Sequence, residues 1–261
     1  MSRLTRKKES QTVQAARSLL FNIAFYLNTF IQIIFYLPVL LLPRRYIWIP
    51  VRSWASSTHW LLKKICGIDH EIIGFEKVAP GGIIVASKHQ SAWETFTMAA
   101  MLPDPTFVLK RELQWIPLFG WYTMKARLMP VNRGAKQAAL EQIATLGRER
   151  MKENRQIIIY PEGTRRAIGA PPSYKYGVAH LYGALDVPCV PVALNAGLYW
   201  PRRSLRFVPG TIRMEFLDPI EPGLDRLEFL KLLEERIETA TARLVETGQR
   251  EIAAREVDHK R

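Results

Sequence analysis

Val85-Ala86-Ser87-Lys88-His89-Gln90-Ser91-Ala92-Trp93-Glu94 is a short apolar run that ends on a histidine and then opens a helix. A carboxylate follows the imidazole by five residues. A histidine takes a proton near neutral pH and a carboxylate holds the resulting imidazolium, so the pair has the chemistry to activate a hydroxyl. Within one helix a five-residue step turns about 140° around the axis, so the pairing works only if His89 lies in the turn and the helix begins after it. Ser91-Ala92-Trp93-Glu94 also fits an S-x-x-E capping box, in which Glu94 reaches back to the backbone instead. Both readings stand on these residues alone.

Outward from this stretch the pattern repeats. Apolar runs at 82–87, 106–110, 126–131, 156–160, 187–194 and 211–217 read as strands, with helical stretches at 92–101, 135–153 and 174–185. Such alternation predicts a mostly parallel, layered α/β sheet with flanking helices, and functional residues gather at the carboxyl ends of its strands. His89 and Glu162 both occupy that kind of position. Residues 225–245 carry mixed charges and apolar residues at helical spacing, which predicts an amphipathic packing helix. The chain divides into a basic, disordered stretch at 1–17, anchoring helices at 18–66, an α/β domain at 67–248 and a charged tail at 249–261.

The amino-terminal portion has another character. Leu19 to Leu42 is about 24 residues without a formal charge, broken by Asn22, Asn28, Gln32 and Pro38. At ~1.5 Å per residue it is long enough to cross the ~30 Å hydrocarbon layer. Pro43-Arg44-Arg45 follows, where a cleaved signal peptide would end in small residues. Basic residues flank both ends, and prolines at 38, 43 and 50 favour a bend back toward the side of entry. A second helix at 46–65 carries Trp48, Trp54 and Trp60 with Arg52, Lys63 and Lys64, a composition suited to lipid headgroups. The expected structure is a membrane-anchoring helical hairpin in one leaflet; a full span and a buried helix are the alternatives.

The 261 residues carry a net charge of +13, with a pI near 9.9. That balance attracts anionic partners: nucleic acid, acidic protein or an acidic lipid surface. The apolar segment and the lack of a recognisable nucleic-acid module argue against nucleic acid. Cys66 and Cys189 match no metal-ligand spacing and read as small buried residues in a reducing compartment. No G-x-S-x-G elbow marks a serine hydrolase.

Two further stretches carry chemistry. In Tyr160-Pro161-Glu162-Gly163-Thr164-Arg165-Arg166 a glycine, a hydroxyl and two guanidinium groups suit a phosphate, whereas Glu162 suits orienting an arginine or a substrate hydroxyl. Lys110 and Arg133 each close a predicted strand and could converge with Arg165 on one anion. Between them, Leu113 to Trp121 is apolar and aromatic, which core packing would explain; a tunnel lining or lipid contact are the alternatives.

His89-Gln90-Ser91-Ala92-Trp93-Glu94, Pro130-Val131-Asn132-Arg133, Tyr160 to Arg165 and Val190-Pro191-Val192 stand in the order and rough spacing of the four motifs of the glycerolipid acyltransferases. Over roughly residues 70–220 the chain resembles the 1-acylglycerol-3-phosphate acyltransferases, which make phosphatidic acid from lysophosphatidic acid in phospholipid biosynthesis. The resemblance implies their α/β fold, and His89 as the base that deprotonates the sn-2 hydroxyl for attack on an acyl thioester. It implies Lys110, Arg133 and Arg165 on the acceptor's phosphate, with Glu162, Gly163 and Thr164 shaping that pocket, and Val190, Pro191 and Val192 at an apolar acyl site. It further implies no metal and no prosthetic group, an acyl-CoA or acyl carrier protein donor, and work among membrane phospholipids at the cytoplasmic face of the inner membrane. One residue departs from the pattern: the family's first motif ends in aspartate, whereas this chain has Glu94. Another lysolipid acceptor, or a non-catalytic lipid-binding protein, are the alternative functions.

Overall fold

The computed structural model describes the backbone from Arg3 to Asp258; Met1, Ser2 and residues 259–261 lie outside the described residues, as do the side chains of residues 3–11, Arg133, Lys136, Glu256 and Asp258. One sheet of seven strands organises the chain: β1 (Ile68–Ile73), β2 (Ile83–Ser87), β3 (Pro105–Lys110), β4 (Met129–Val131), β5 (Gln156–Ile159), β6 (Cys189–Leu194) and β7 (Gly210–Phe216), in the spatial order β1-β7-β6-β2-β5-β3-β4. The five strands from β6 to β4 run parallel. β7 runs antiparallel to β6, and β1 lies parallel to β7 at the outer edge. The expected mostly parallel α/β sheet is therefore present.

Every residue of β2 is buried, as a central parallel strand covered on both faces requires. Side chains alternate across the pleat. Ile83 and Val85 pack with Phe21, Ala55, Trp93 and Phe96, whereas Ile84 and Ala86 pack with Ile143, Leu181, Phe229 and Leu233. The first layer is made by α1 (Arg3–Phe35), α2 (Trp48–Leu61), α3 (Trp93–Met101) and α7 (Ala196–Tyr199); the second by α5 (Lys136–Lys152), α6 (Gly177–Leu185) and α8 (Arg226–Asp258). A short α4 (Phe119–Lys125) lies beside the tip of the amino-terminal helices. Both cysteines are buried and unpaired, and burial pushes both thiols up in pKa, Cys66 to about 12.

Several boundaries differ from the sequence reading, each for a physical reason. β1 was not anticipated, because an edge strand with Asp69 half-covered and His70 and Glu71 exposed lacks a continuous apolar run. The strand expected at 126–131 begins only at Met129, since Arg127 takes a left-handed conformation that ends the α4 turn. The stretch at 1–17, expected to be disordered, is helical from Arg3. Its carboxyl end is held on the domain by Gln14 Nε2, which donates to the Phe207 carbonyl at 2.7 Å. The tail expected after residue 248 continues α8 as far as Asp258.

The amino-terminal helices form a hairpin. α1 ends at Phe35, residues 36–47 turn the chain through two short 3-10 segments, and α2 returns along α1. The polar interruptions of the apolar segment serve this packing. Asn28 Nδ2 and Gln32 Nε2 donate to Ser57 Oγ at 3.0 and 2.8 Å, and Trp54 Nε1 donates to Thr29 Oγ1 at 2.9 Å. Thr12–Phe35 is long and apolar enough to cross a bilayer by length and composition. Phe21, however, is fully buried against Trp200 and Phe207 of the α/β domain. Burial of such a ring contributes about 1.5–3 kcal/mol, so one face of α1 is part of the domain core. The opposite face presents Leu20, Ile23, Leu27, Phe30, Ile31 and Ile34 outward.

Candidate active site

The parallel strands β2, β5, β3 and β4 end on one edge of the sheet, and the sequence-predicted site residues are delivered there. β2 is prolonged by one bond, Lys88 N donating to the Val192 carbonyl at 2.9 Å, and the chain then turns at His89 before α3 begins. His89 therefore precedes the helix, as its pairing with Glu94 requires. The imidazole Nδ1 lies 2.8 Å from Glu94 Oε1. The same oxygen accepts the backbone N–H groups of Gln90 and Ser91, each at 2.8 Å. Both readings of Glu94 thus hold at once: the carboxylate bonds the turn's backbone and also the histidine. A carboxylate only accepts, so Nδ1 carries the proton and Nε2 is left with its lone pair.

Glu94 is fully buried, and its second oxygen, Oε2, is buried without a hydrogen-bond partner. The methylene that distinguishes it from aspartate is accommodated, since Oε1 reaches the imidazole at ordinary hydrogen-bond length. Tyr160 stacks on the His89 ring with centroids 4.0 Å apart and planes inclined by 20°. Its hydroxyl donates to Thr95 Oγ1 at 3.3 Å, and burial drives the phenol's pKa well above its usual range. The imidazole is fixed in its plane by the ring and in its rotation by the carboxylate.

Beyond β5, Gly163 N donates to the Tyr160 carbonyl at 2.9 Å, closing a turn with Pro161 at its second position. Gly163 has φ of 66°, a conformation that a side chain disfavours. The loop is tied to the histidine turn by Arg166 N, which donates to the His89 carbonyl at 2.7 Å. Glu162 points beneath this loop rather than into it. Its Oε1 accepts from Lys88 Nζ at 3.0 Å, and the same ammonium donates to Glu238 Oε1 of α8 at 2.6 Å. Lys88 and Glu162 are almost wholly buried, and Tyr174 donates to Glu238 at 2.9 Å. Desolvation pushes the Glu162 carboxyl up, opposed by the Lys88 charge. Arg166 Nε lies 3.9 Å from the same Glu162 oxygen, so the buried carboxylate, paired with Lys88, is a strut that joins the two loops to α8.

The cationic residues follow strand order. Arg165 leaves the loop after β5, Lys110 closes β3, and Arg133 follows β4. At roughly 4.8 Å between strands, these positions step sideways from His89 by about 5, 10 and 15 Å. The Arg165 guanidinium has no carboxylate within ion-pair distance among the described residues, and its carbonyl accepts from Arg202. Lys110 is half-exposed and lies 3.4 Å from Glu112, while Thr164 is exposed. The Arg133 side chain lies outside the described residues, so only its place after β4 is given. Val190 and Val192 are fully buried in the sheet core, and Pro191 is buried between them. They offer no accessible surface to an acyl chain, and their structural role is to pair with β2 beneath the histidine. Core packing fails for the apolar run after Lys110, where Trp115 and Trp121 are 68% and 51% exposed.

Sequence reasoning missed Lys88, Tyr160, Tyr174 and Glu238. A lysine directly after a buried strand was a signal for the first; its partner 150 residues away was not.

Comparisons with known proteins bear on the family and the fold. A family model described as "Acyltransferase" matches residues 70–195. A 1-acyl-sn-glycerol-3-phosphate acyltransferase of Pseudomonas aeruginosa is 34% identical over 206 residues, covering 78% of this chain and 80% of that protein. One from Saccharomyces cerevisiae is 27% identical over 66% of this chain and 57% of its own. The crystal structure of the 1-acyl-sn-glycerophosphate acyltransferase from Thermotoga maritima superposes with a TM-score of 0.75, covering 88% of this chain and 97% of that one at 23% identity, a likeness of fold.

Proposed function

The chain belongs to the 1-acyl-sn-glycerol-3-phosphate acyltransferase family of glycerolipid acyltransferases, and from that premise we propose that it transfers an acyl chain from a thioester to the sn-2 hydroxyl of lysophosphatidic acid, giving phosphatidic acid. The observation that carries the reading is the His89–Glu94 pair, at 2.8 Å, on the strand edge that also bears the cations. In this mechanism His89 Nε2 takes the proton of the acceptor hydroxyl as its oxygen attacks the thioester carbonyl. Glu94 holds the imidazolium that forms. The tetrahedral intermediate then expels the thiolate, and the imidazolium returns its proton to that sulfur. Atoms and charge balance without a metal or a prosthetic group.

Arg165 is the strongest candidate for the acceptor's phosphate. Its strand adjoins that of His89, and hydroxyl and phosphate lie only a few bonds apart in the substrate. Lys110 and Arg133 are placed to hold the same anion from farther along the edge or to meet neighbouring lipid phosphates. Thr164 and Gly163 line the approach, whereas Glu162 acts from below through Lys88. The donor is an acyl-CoA or an acyl carrier protein, whose acidic surface suits a chain of net charge +13. The outward face of α1 suits docking on one leaflet, at the cytoplasmic face of the inner membrane, where these substrates meet.

The test offers the purified full-length protein both donor types against several lysolipids. Transfer to lysophosphatidic acid that is lost in His89→Ala, with the variant still sedimenting with vesicles, is the expected result. Transfer that survives the substitution would refute the base assignment. Preference for an acceptor lacking a phosphomonoester would refute the substrate.

A further inference from the structure

We propose that residues 111–125, between β3 and the end of α4, form a second membrane-docking element that enters the same anionic phospholipid leaflet as the outward face of α1. From Leu113 to Met124 the segment carries no formal charge, and it is exposed and shaped. Trp115 and Trp121 are joined on the surface by Ile116, Phe119 and Met124, each more than two-fifths exposed. A lipid-facing segment must satisfy its backbone internally, and much of this one does. Gly120 N donates to the Ile116 carbonyl at 2.8 Å, Trp121 N to the Leu118 carbonyl at 3.0 Å, and Thr123 Oγ1 to the Gly120 carbonyl at 2.8 Å.

Its shape is enforced rather than incidental. Leu118 has φ of 63° and ψ of −59°, with Phe119 N donating to the Pro117 carbonyl at 2.7 Å, a rare and strained γ-turn. Gly120 passes so close to the chain that an added Cβ would lie 1.9 Å from the Gln114 carbonyl oxygen. A strained turn carrying exposed aromatic rings persists because packing at its base holds it.

Continuity and charge identify the occupant. Tyr122 donates to the Ile33 carbonyl of α1 at 2.8 Å, and Ala126 packs with Val39, Ile47 and Trp48 at the hairpin tip. The exposed Phe35, Leu41 and Leu42 of that tip extend the apolar surface. Arg111 lies over the Trp115 ring at 5.7 Å and Arg45 over Tyr46 at 5.0 Å, the arrangement of aromatic body and cationic tip that suits anionic headgroups. Because the segment begins directly after Lys110, its insertion would hold the cationic strand edge at headgroup depth. The proposal rests on α1 lying on a bilayer, as in the proposed function.

Both natural cysteines are buried, so single cysteines introduced by Trp115→Cys, Leu27→Cys and Glu235→Cys can be labelled selectively with an environment-sensitive fluorophore. The full-length proteins are bound to vesicles of phosphatidylcholine and phosphatidylglycerol carrying bromine in the acyl chains. Loss of emission at positions 27 and 115, with none at 235 on α8, is the expected result. Quenching at 27 without quenching at 115 would overturn the proposal while leaving α1 as anchor. Concentration-dependent disulfide formation between copies through position 115, without quenching, would overturn it in favour of a second copy of the chain. Quenching at none of the three would overturn it together with the anchor on which it rests. Acyl transfer is scored separately, so a failure of the chemistry leaves the depth measurement standing.

Discussion

Replacing Glu94 by glutamine separates the two tasks that its single oxygen performs. The amide oxygen can still accept the Gln90 and Ser91 N–H groups, so the turn keeps its bonds. The amide nitrogen takes the place of Oε2, which is buried without a partner, and a buried donor left unsatisfied costs about 1–3 kcal/mol. That lowers stability but leaves most proteins folded, since folding free energies are about 5–15 kcal/mol. The catalytic loss has another origin. With Oε1 2.8 Å from Nδ1, the centres of charge in the imidazolium–carboxylate pair lie about 4 Å apart, worth ~4 kcal/mol at an effective dielectric constant of ~20. The neutral amide oxygen restores about 1 kcal/mol as a hydrogen-bond acceptor, leaving a deficit of ~3 kcal/mol. At about 1.4 kcal/mol per decade, kcat should fall by ~10²–10³, with smaller changes in KM. The assay is kcat at saturating donor and acceptor, beside a denaturant midpoint for the same preparation. A folded Glu94→Gln protein with kcat within about fivefold of the parent would refute the reasoning and leave Glu94 as a cap alone. Glu94→Asp tests reach instead: it keeps the charge but withdraws it by about 1.5 Å, so it should also lose kcat despite restoring the family's aspartate.

Two further outcomes follow from the same geometry. Arg165→Ala should raise the apparent KM for a phosphate-bearing acceptor by ~10- to 100-fold, the worth of a charged hydrogen bond, while the KM for the acyl donor changes little; equal effects on both would remove Arg165 from the phosphate. Lys88→Met strands the buried Glu162 and should cost ~3–5 kcal/mol of stability at neutral pH, read from denaturant midpoints. Glu162 already has a raised pKa in the folded state, so its contribution is fully present below the ordinary glutamate range and is lost as pH rises through the folded value. Removing the lysine enlarges that shift, so the variant's deficit should shrink on acidification toward the ordinary glutamate range; a deficit independent of pH would show that Glu162 is not the group left stranded.

The order of elements and the place of His89 in the turn before α3 were legible because they depend on local pattern. Ile83 to Ala86 is apolar without a break, as a strand covered on both faces needs. The capping-box letters at Ser91 and Glu94 placed the start of α3 and so put His89 ahead of the helix. β1 was invisible for the converse reason: an edge strand with one half-covered face carries too few apolar residues to stand out. The aromatic run after Lys110 misled because composition alone does not distinguish a residue buried in protein from one offered to another apolar phase.

The sequence by itself determined the period of the elements, the edge of the sheet on which His89, Lys110, Arg133 and Arg165 emerge, and the family to which those motifs belong. The first two follow from residues within a few positions of one another, and the family from the order and spacing of four such short motifs. Tertiary structure alone decided what each side chain meets. It paired Glu162 with Lys88 and buried Val190 and Val192 beneath the site. It also folded α1 back so that one face entered the core while the other stayed apolar and exposed. Those outcomes depend on partners 70 to 190 residues distant, such as Glu238 for Lys88 and Phe207 for Ser18, and short-range pattern carries no record of which distant group arrives.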